Sequence, residues 1–211
     1  MTPIVFVYKS IRKIWNVFIY KPFCHIATLV ILQSNKVRYS KFYTCGIPII
    51  NADCKNGGGI FIGKNFRMNN GNAANNIGFT SRCTLRIVGG ANLYIGENVG
   101  MSQTTVCAVD ADITIGCNTI LGGGVKIYSS DFHSMDYIDR RDPGGADKNN
   151  RKSTPVFIGE DCFIGAGTII LKGVTIGARS IIGAGSVVTK SIPADCIAAG
   201  NPCKVLQKCN T

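Results

Sequence analysis

Residues 158–188 read IGEDCFIGAGTIILKGVTIGARSIIGAGSVV, and an aliphatic residue recurs at every sixth position of this stretch. Glycine follows four of the six members of this ladder, which are Ile158, Ile164, Ile170, Ile176, Ile182 and Val188. A fixed short period is typical of a parallel β-helix, in which each step contributes one short strand and one corner. Three steps would close a triangular coil, with the aliphatic residues stacked inside it.

The same spacing continues upstream with less regularity. Three groups of aliphatic or small residues carry it: Ile115, Leu121 and Ile127; Ile95, Met101, Cys107 and Ile113; and Ile62, Met68 and Ala74. The second group is offset from the first by two residues, and the third is predicted to form the first coil. Residues 79–94 have no clear phase. We therefore predict an all-β domain, a parallel β-helix over residues 56–206, with a C-terminal tail at 207–211.

The first 55 residues form a predicted N-terminal appendage, mostly helical or irregular, that differs in composition from the repeats. It contains no acidic residue before Asp53, and its apolar residues from Ile4 to Ile19 have rough helical spacing. Two roles remain open. The segment can cap the open edge of the first coil, or residues 1–41 can lie on a membrane surface as an amphipathic helix. The uncharged residues 22–35 are too few to span a membrane, which takes about 20.

Charge and cysteine content restrict the functional classes. The chain has 23 basic and 12 acidic residues, a net charge of +11, but no nucleic-acid recognition motif, so nucleic-acid binding is not predicted. The ten cysteines lack zinc-type spacing, which predicts reduced thiols and no metal, with Cys203 and Cys209 as an alternative surface pair. No secretory leader is evident, so we predict a cytoplasmic protein, with contact at the inner membrane face left open.

The ladder is interrupted beside a histidine. Counting sixes from Ile127 leads to His133, where an aliphatic residue is expected, and the polar, aperiodic loop 134–155 follows at once. From His133 to Ile158 the chain takes 25 residues instead of six, which predicts an insertion of about 19. Long loops in compact folds are functional or disordered. Because histidine is the usual acid–base group near neutral pH, His133 is a candidate general base; a structural histidine is the alternative.

Two stretches resemble a known family. Residues 129–136, SSDFHSMD, are similar to the His-x-x-Asp signature of hexapeptide-repeat acetyltransferases of the galactoside/maltose O-acetyltransferase type. The run from Val156 to Leu206, with AGNP at 199–202, resembles the C-terminal repeats of that family. The resemblance covers residues 95–206, whereas residues 1–55 resemble only the variable heads of polysaccharide-modifying relatives. It implies a left-handed β-helix, a homotrimer, and acetyl-CoA in the groove between neighbouring prisms, with 134–155 as an arm reaching across.

The resemblance also implies roles for particular residues. His133 would take the proton of the acceptor hydroxyl, and Asp131 or Asp136 would orient its ring or contact the acceptor. Asp110 matches a position that binds acceptor hydroxyls. Ser102 stands where the family has an asparagine, and this departure leaves the acceptor open.

The positions that match coenzyme A contacts lie in the C-terminal repeats. They are Ala166 and Ala184 for pantetheine, Thr189, Lys190 and Lys204 towards the nucleotide, and Phe163 beside the acetyl group. Lysines suit the nucleotide phosphates as point charges. Gln207 replaces an arginine that is frequent in the family, so a phosphate contact there is weaker or displaced.

These observations predict an acetyl-CoA-dependent O-acetyltransferase acting on a sugar or on a cell-envelope or capsular polysaccharide precursor. A small-molecule O-acetyltransferase of the serine or antibiotic type is an alternative, as is a non-catalytic β-helix scaffold, since a fold does not imply a function. A β-helical carbonic anhydrase is disfavoured because it needs three zinc-binding histidines and this chain contains two.

Overall fold

The protein is described by a computed structural model over residues 3–71, 74–75 and 77–209. Its helical start consists of α1 (Pro3–Ile14) and α2 (Lys21–Ser34), joined without a break by a π-helical stretch, Trp15–Tyr20. The N–H of Lys21 donates to the carbonyl of Asn16, five residues back. This wider turn lies directly before Pro22, whose nitrogen cannot donate a hydrogen bond.

The helix is therefore longer than the uncharged residues 22–35 indicate. Val5–Ser34 form 30 helical residues that, by length and composition alone, are apolar enough to cross a membrane. The argument that residues 22–35 are too few to span a membrane does not apply, because the helix continues towards the N-terminus through Pro22 and Lys21.

The rest of the described chain winds through six coils, and each coil contributes one strand to each of three parallel sheets, A, B and C, in that order. The first three coils contain β1 (Arg38–Tyr39), β2 (Phe42–Cys45) and β3 (Ile49–Ala52); β4 (Gly59–Ile62), β5 (Phe66–Asn69) and β6 (Thr84–Val88); β7 (Asn92–Ile95), β8 (Gly100–Ser102) and β9 (Thr105–Val109). The next three contain β10 (Ile113–Ile115), β11 (Ile120–Leu121) and β12 (Lys126–Tyr128); β13 (Val156–Ile158), β14 (Phe163–Ile164) and β15 (Ile169–Ile170); β16 (Thr175–Ile176), β17 (Ile181–Ile182) and β18 (Val187–Val188). A 3-10 turn (Asp139–Arg141) and α3 (Ala146–Asn150) lie between β12 and β13.

The C-terminal end closes the solenoid. β19 (Cys196–Gly200) pairs with β17 in sheet B, and β20 (Cys203–Lys208) returns antiparallel to β19. Gln207 and Lys208 are therefore part of a strand, paired with Ile197 and Cys196, and not of a free tail. Residues 1–2 of the predicted appendage and residues 210–211 of the predicted tail lie outside the described residues.

The predicted ladder is confirmed by the strand register. Ile158 pairs with Ile176, Ile164 with Ile182, and Ile170 with Val188, all of them buried. Ile115, Leu121 and Ile127 stack on the same columns one coil earlier. The residue two positions before each of the next five ladder members is small and buried as well, so these side chains fill the narrow interior between the aliphatic columns; they are Cys162, Thr168, Val174, Ser180 and Ser186.

The β-helix begins earlier than predicted, at Arg38 rather than at residue 56. β1, β2 and β3 pair with β4, β5 and β6, so the coil at Ile62 is the second. The first coil contributes the buried residues Phe42 and Ile50 to the core without the aliphatic–glycine pattern, which explains why no repeat is visible in its sequence. The appendage is thus mainly the helix that ends at Ser34.

Two upstream positions of the predicted ladder also need correction. Val106, not Cys107, stacks on Ile127, and Leu85, not Ala74, stacks on Val106. The two-residue offset arises at the corner after β9, where Asp110 has a left-handed φ of 56°. Residues 79–94, which showed no clear repeat, contain β6 and the start of β7. The pairing of these strands with β9 and β10 fixes their register.

The helix covers the open end of the first coil with its second half only. Cys24, Thr28 and Leu32 of α2 are buried, Leu32 belongs to the core, and the ring of His25 stacks on Phe42 at 4.8 Å. The large apolar side chains of α1 whose burial is described are exposed. The capping role therefore falls to α2. All ten cysteines, including Cys203 and Cys209, are free.

A second insertion, not predicted as a loop, separates β5 from β6. The side-chain amide of Gln103 donates to the carbonyls of Asn75 and Phe79, at 3.0 and 2.6 Å, and holds this loop against the prism. The side chains of Ile77 and Phe79 occupy the space beside Gly123 and Gly124, two coils further along. The loop thereby covers part of the corner between sheets B and C.

Candidate active site

The arm that carries His133 leaves the solenoid after β12 and returns before β13. Its base is closed by Asp131 N–H to Lys152 carbonyl (3.0 Å) and Thr154 N–H to Ser129 carbonyl (2.9 Å). Thirty-one residues separate Ile127 from Ile158 where a regular step takes six, so the insertion is longer than predicted, 25 residues rather than about 19. His133 is not a ladder position: its side chain lies on the arm and is 68% exposed.

The imidazole of His133 is held by a carboxylate from the far side of the arm. Its Nδ1 lies 2.6 Å from Oδ2 of Asp147, a residue of α3 that is buried. The other oxygen of Asp147 accepts the backbone N–H of Ser134 at 2.7 Å. The hydrogen bond with His133, followed by that from Ser134, holds the pKa of the Asp147 carboxyl below its usual range.

This contact determines what the histidine can do. An ionised Asp147 accepts a hydrogen bond from Nδ1–H, which assigns the proton of the neutral ring to Nδ1. The lone pair of Nε2 then faces outward, and Nε2 has no hydrogen-bond partner among the described residues. A ring that is held by a buried carboxylate in this way can accept a proton at Nε2, which is the chemistry that a general base needs.

The remaining contacts of the arm fix the residue after the histidine. Ser134 Oγ donates to Asp139 at 2.6 Å, and Arg140 donates to the Ser134 carbonyl at 2.7 Å. Hydrogen bonds from Ser134 and then Asn150 lower the pKa of Asp139. Ser134 is thus bound on both its backbone and its side chain, which restricts the position of His133.

Asp131 and Asp136, one of which was predicted to orient His133 or to contact the acceptor, form no hydrogen bond with His133. Asp131 Oδ1 pairs with Lys172 at 3.1 Å, and its buried Oδ2 has no partner among the described residues. Asp136 accepts the N–H of Ile138 at 2.8 Å, as a local turn residue. The orienting role belongs to Asp147, which sequence spacing could not indicate because it lies 14 residues beyond His133 in an aperiodic loop.

The two predicted acceptor residues lie at opposite ends of β9. Asp110 is exposed beyond the strand and binds Arg151, at the end of the arm, at 2.7 and 2.6 Å from Nε and Nη2. Ser102 precedes β9 and is buried, and its Oγ accepts hydrogen bonds from Asn69 and Asn75, both at 3.1 Å. Asp110 is near the arm, whereas Ser102 faces the Asn-containing loop between β5 and β6.

The predicted pantetheine contacts, Ala166 and Ala184, stack at the corner between sheets B and C in coils five and six. The carbonyl of Ala166 accepts the N–H of Gly185 at 2.8 Å. The N–H groups of Ala166 and Ala184 make no hydrogen bond within the described part of the chain. A Cβ on Gly165 would lie 2.4 Å from the nitrogen of Ala184, so glycine is needed for the close approach of these coils. The corner thus presents unbonded amides about 4.8 Å apart.

The other predicted coenzyme A residues occupy different places on the prism. Lys204 of β20 pairs opposite Ala199 in sheet B, on the face that leads to the same corner. Phe163 of β14 is half-exposed on the outer face of sheet B, between Ile120 and Ile181. Thr189 and Lys190 follow β18 and are exposed at the corner between sheets C and A.

The Ala166 corner lies where the strands of sheet C begin, and the arm with His133 leaves where they end. The two are therefore at different corners of the prism. The chain passes from the corner at Gly124 to Ser129, at the base of the arm, in five residues, or about 16 Å of extended strand. Within residues 3–71, 74–75 and 77–209, no three His, Cys, Asp or Glu side chains cluster as metal ligands.

Similarity to known proteins agrees with this architecture. Residues 155–190 match the family described as bacterial transferase hexapeptide (six repeats). The galactoside O-acetyltransferase of Lactococcus lactis is 37% identical over 122 residues, 58% of this chain and 56% of that protein. The galactoside O-acetyltransferase of Escherichia coli is 36% identical over 121 residues, 57% of this chain and 56% of that protein.

A solved structure extends the comparison to the whole fold. AntD, an N-acyltransferase from Bacillus cereus solved with dTDP-4-amino-4,6-dideoxyglucose and coenzyme A, superposes with a TM-score of 0.65. It is 18% identical, and the match covers 87% of this chain and 90% of AntD. The chain spans a little over half the length of the curated relatives that it matches.

The repeat, the prism and the matched family define a hexapeptide-repeat transferase domain with a left-handed parallel β-helix. The chain is a homologue of the galactoside O-acetyltransferases, as its sequence predicted. Those homologues are acetyltransferases by name.

Proposed function

We propose that this protein transfers the acetyl group of acetyl-CoA to a hydroxyl group of a sugar or of a cell-envelope or capsular glycan precursor. The observation that carries this proposal is the contact of His133 Nδ1 with the buried Asp147, which leaves Nε2 exposed on the arm. The names of the homologous galactoside O-acetyltransferases support a sugar hydroxyl as the acceptor.

The chemistry is a direct transfer. Acetyl-CoA supplies an activated thioester. Nε2 of His133 removes the proton of the acceptor hydroxyl while the hydroxyl oxygen forms a bond to the acetyl carbon. Asp147 stabilises the positive charge that the ring gains. The carbon–sulfur bond then breaks, and the histidine returns its proton to the departing sulfur, so that free CoA and an acetyl ester are formed.

The corner between sheets B and C fits coenzyme A by its chemistry. The unbonded amides of Ala166 and Ala184 can donate to the amide carbonyls of pantetheine. The exposed Lys204 supplies a cation for the phosphates at the same edge. Phe163 offers an apolar surface beside that edge, and Thr189 and Lys190 stay a prediction for the nucleotide end.

A homotrimer would complete the site. His133 and the Ala166 corner lie on opposite edges of sheet C, so the arm of one protomer would meet the corner of the next. Ile120, Phe163 and Ile181, 55%, 48% and 36% exposed, form an apolar row on sheet B that supports a subunit contact. We also propose a cytoplasmic location at the inner membrane face, supported by the exposed apolar side chains of α1.

The test is thiol release from acetyl-CoA by the purified full chain, with galactosides, maltose, glycan precursors, serine and aminoglycoside or phenicol alcohols as acceptors. We expect turnover with a sugar, and we expect the turnover of His133→Ala to be about 10²–10⁴-fold lower than that of the wild type. Asp136→Asn changes a carboxylate of the same arm that does not touch the ring, and should retain turnover.

Three results would overturn the proposal. Unchanged transfer by His133→Ala would remove the general base. Turnover with serine or an antibiotic but with no sugar would favour the small-molecule enzyme. If acetyl-CoA at a concentration far above a micromolar Kd did not raise the Tm of the protein, the non-catalytic scaffold would replace the proposed enzyme.

A further inference from the structure

A basic groove lies between the N-terminal helix and the first two coils. It has a volume of about 520 Å³ and is lined on the helix side by Lys9, Arg12, Lys13 and Lys21 and on the solenoid side by Cys45 and Ala74. A second cavity, of about 870 Å³, adjoins it at Lys21 and adds Lys41 and Arg67. Among the described residues, no acidic side chain lines either cavity.

Three cations of this groove lack acidic partners. Arg12, Lys13 and Lys21 form no ion pair with a carboxylate among the described residues. Lys9 and Arg12, and Lys9 and Lys13, are three and four residues apart on one helix face, so like charges are neighbours there. An anion bound between them would relieve this repulsion. Arginine and lysine together favour phosphate oxygens, through paired and single charge-assisted hydrogen bonds.

The opposite face of the same helix is apolar and exposed. Its members recur with helical spacing and are each more than half exposed; they include Val7, Ile11, Ile14, Trp15 and Phe18. The packing of Leu32 and Cys24 on the first coil keeps α2 in contact with protein. A helix with a cationic face and an apolar face of this kind lies in the plane of a membrane surface. The groove would then open at the level of the lipid headgroups.

The groove is aligned with the proposed transfer site. Cys45 is at the corner between sheets B and C in coil one, and Ala166 is at the same corner in coil five. Four coil steps of about 4.8 Å place the two sites roughly 19 Å apart along the same corner of the prism, on either side of the loop between β5 and β6. A glycan of a few sugar units covers such a distance.

We infer that this groove binds the phosphate or diphosphate of a membrane-anchored glycan, and that a lipid-linked saccharide is therefore a better acceptor than the same sugar in free form. This inference rests on the proposed acetyl transfer for the identity of the site at Ala166. The groove itself is an anion site whatever reaction the arm performs. Its occupant is the headgroup of a polyisoprenyl phosphate or diphosphate that carries the sugar.

The experiment measures sedimentation of the full chain with phosphatidylcholine vesicles that contain polyisoprenyl diphosphate. Vesicles with phosphatidylglycerol at equal surface charge serve as the reference, and soluble diphosphate serves as the competitor. The groove variant is Arg12→Gln, Lys13→Gln and Lys21→Gln. The matched variant loses the same charge at exposed sites outside both cavities, with Lys55→Gln, Lys64→Gln and Arg82→Gln.

We expect the wild type to bind the diphosphate vesicles at least tenfold more tightly than the reference vesicles. The groove variant should lose this difference, the matched variant should keep it, and soluble diphosphate should reduce it in the wild type. Equal binding to both vesicles, or an equal loss in both variants, would mean charge attraction without a site and would overturn the inference. Circular dichroism of both variants excludes loss of fold as the cause.

A second measurement separates this inference from the proposed function. Thiol release with a soluble sugar acceptor should be the same in the groove variant and the wild type. If no sugar supports turnover, the proposed transfer fails, while the vesicle comparison still decides the anion site. If soluble sugars are acetylated and polyisoprenyl diphosphate has no effect on binding, the transfer stands and the inference fails.

Discussion

Two ionised carboxylates of the arm act on adjacent residues. Asp147 accepts from His133 and from the N–H of Ser134, and Asp139 accepts from the Ser134 hydroxyl. Both have pKa values below the usual range because hydrogen bonds favour their charged forms. The hydrogen bonds that both carboxylates accept beneath the exposed imidazole are thus charge-assisted, and such hydrogen bonds are stronger than neutral ones.

Replacement of Asp147 by asparagine tests whether the Asp147 carboxylate orients the His133 ring. Asp147→Asn keeps the size of the side chain but removes the charge that fixes the Nδ1 tautomer, so turnover should fall by between about tenfold and 10⁴-fold. Stability should respond to acid. The folded pKa of Asp147 is lowered, so its stabilisation is present above the unfolded pKa, about 4, and is lost as pH falls through the folded pKa.

The measurement is Tm against pH for the wild type and Asp147→Asn, together with turnover at neutral pH. Below about pH 4 the Tm of the wild type should fall more steeply than that of the variant. Parallel curves, with turnover unchanged, would show that Asp147 neither titrates with folding nor orients His133.

At this scale the sequence identified the histidine but not its partner. His133 stands beside the end of a periodic stretch, where a change of pattern draws attention to it. Asp147 is one of several acidic residues in a loop without period, and only the turn that forms α3 brings it back to the ring. Local spacing on a strand, which suggested Asp131, does not apply once the chain has left the sheet.

Among the elements, the loop between β5 and β6 has the most direct connection to the proposed cofactor edge. Its Phe79 and Ile77 fill the space beside Gly124 and Gly123, one coil before Ala166. Gln103, itself at a left-handed φ of 50°, holds the loop by two hydrogen bonds. The row of unbonded corner amides is thus closed by side chains at its N-terminal end.

Truncation of Phe79 should change the acyl group that is accepted. Phe79→Ala opens space at the end of this row, so the ratio of kcat/KM for propionyl-CoA to that for acetyl-CoA should rise about tenfold or more, since one methylene in a pocket is worth about 10–200-fold. The matched control is Phe157→Ala, a half-exposed phenylalanine on sheet A. An equal ratio in both variants would place Phe79 away from the acyl group.

The elements differ in how far the sequence predicted them. Coils four to six follow from the aliphatic–glycine step, because every corner there except the one that carries the arm is short and every interior position is filled alike. The first coil shows no such step because aromatic and polar residues occupy its strands, and pairing with the second coil determines them. The helix was underestimated because a wide turn before Pro22 keeps it continuous where proline usually ends a helix.

For the whole molecule, the separation of His133 from the Ala166 corner is the observation behind the proposed trimer. The two lie at opposite ends of the strands of sheet C, so no single corner of one protomer contains both groups. If each site takes the arm of one protomer and the corner of another, two inactive variants should restore each other.

Mixing His133→Ala with Ala184→Trp gives this test, since the tryptophan would fill the exposed corner at Ala184. Each variant alone should be inactive. Trimers refolded or coexpressed at equal amounts should recover about a quarter of the wild-type turnover, because one site in four combines an intact arm with an intact corner. No recovery in mixed trimers confirmed by mass would mean that each protomer holds a complete site.

The stacking of coils has a further consequence for the proposed acceptor. The solenoid side of the basic groove and the transfer corner belong to one stack of coils, and the distance between them changes only in whole coils of about 4.8 Å. If the groove holds the phosphate of an anchored glycan, the number of coils between the two sites would determine which hydroxyl of the glycan reaches the arm. A relative with one coil more or fewer between the two sites would acetylate a position further from, or nearer to, the lipid.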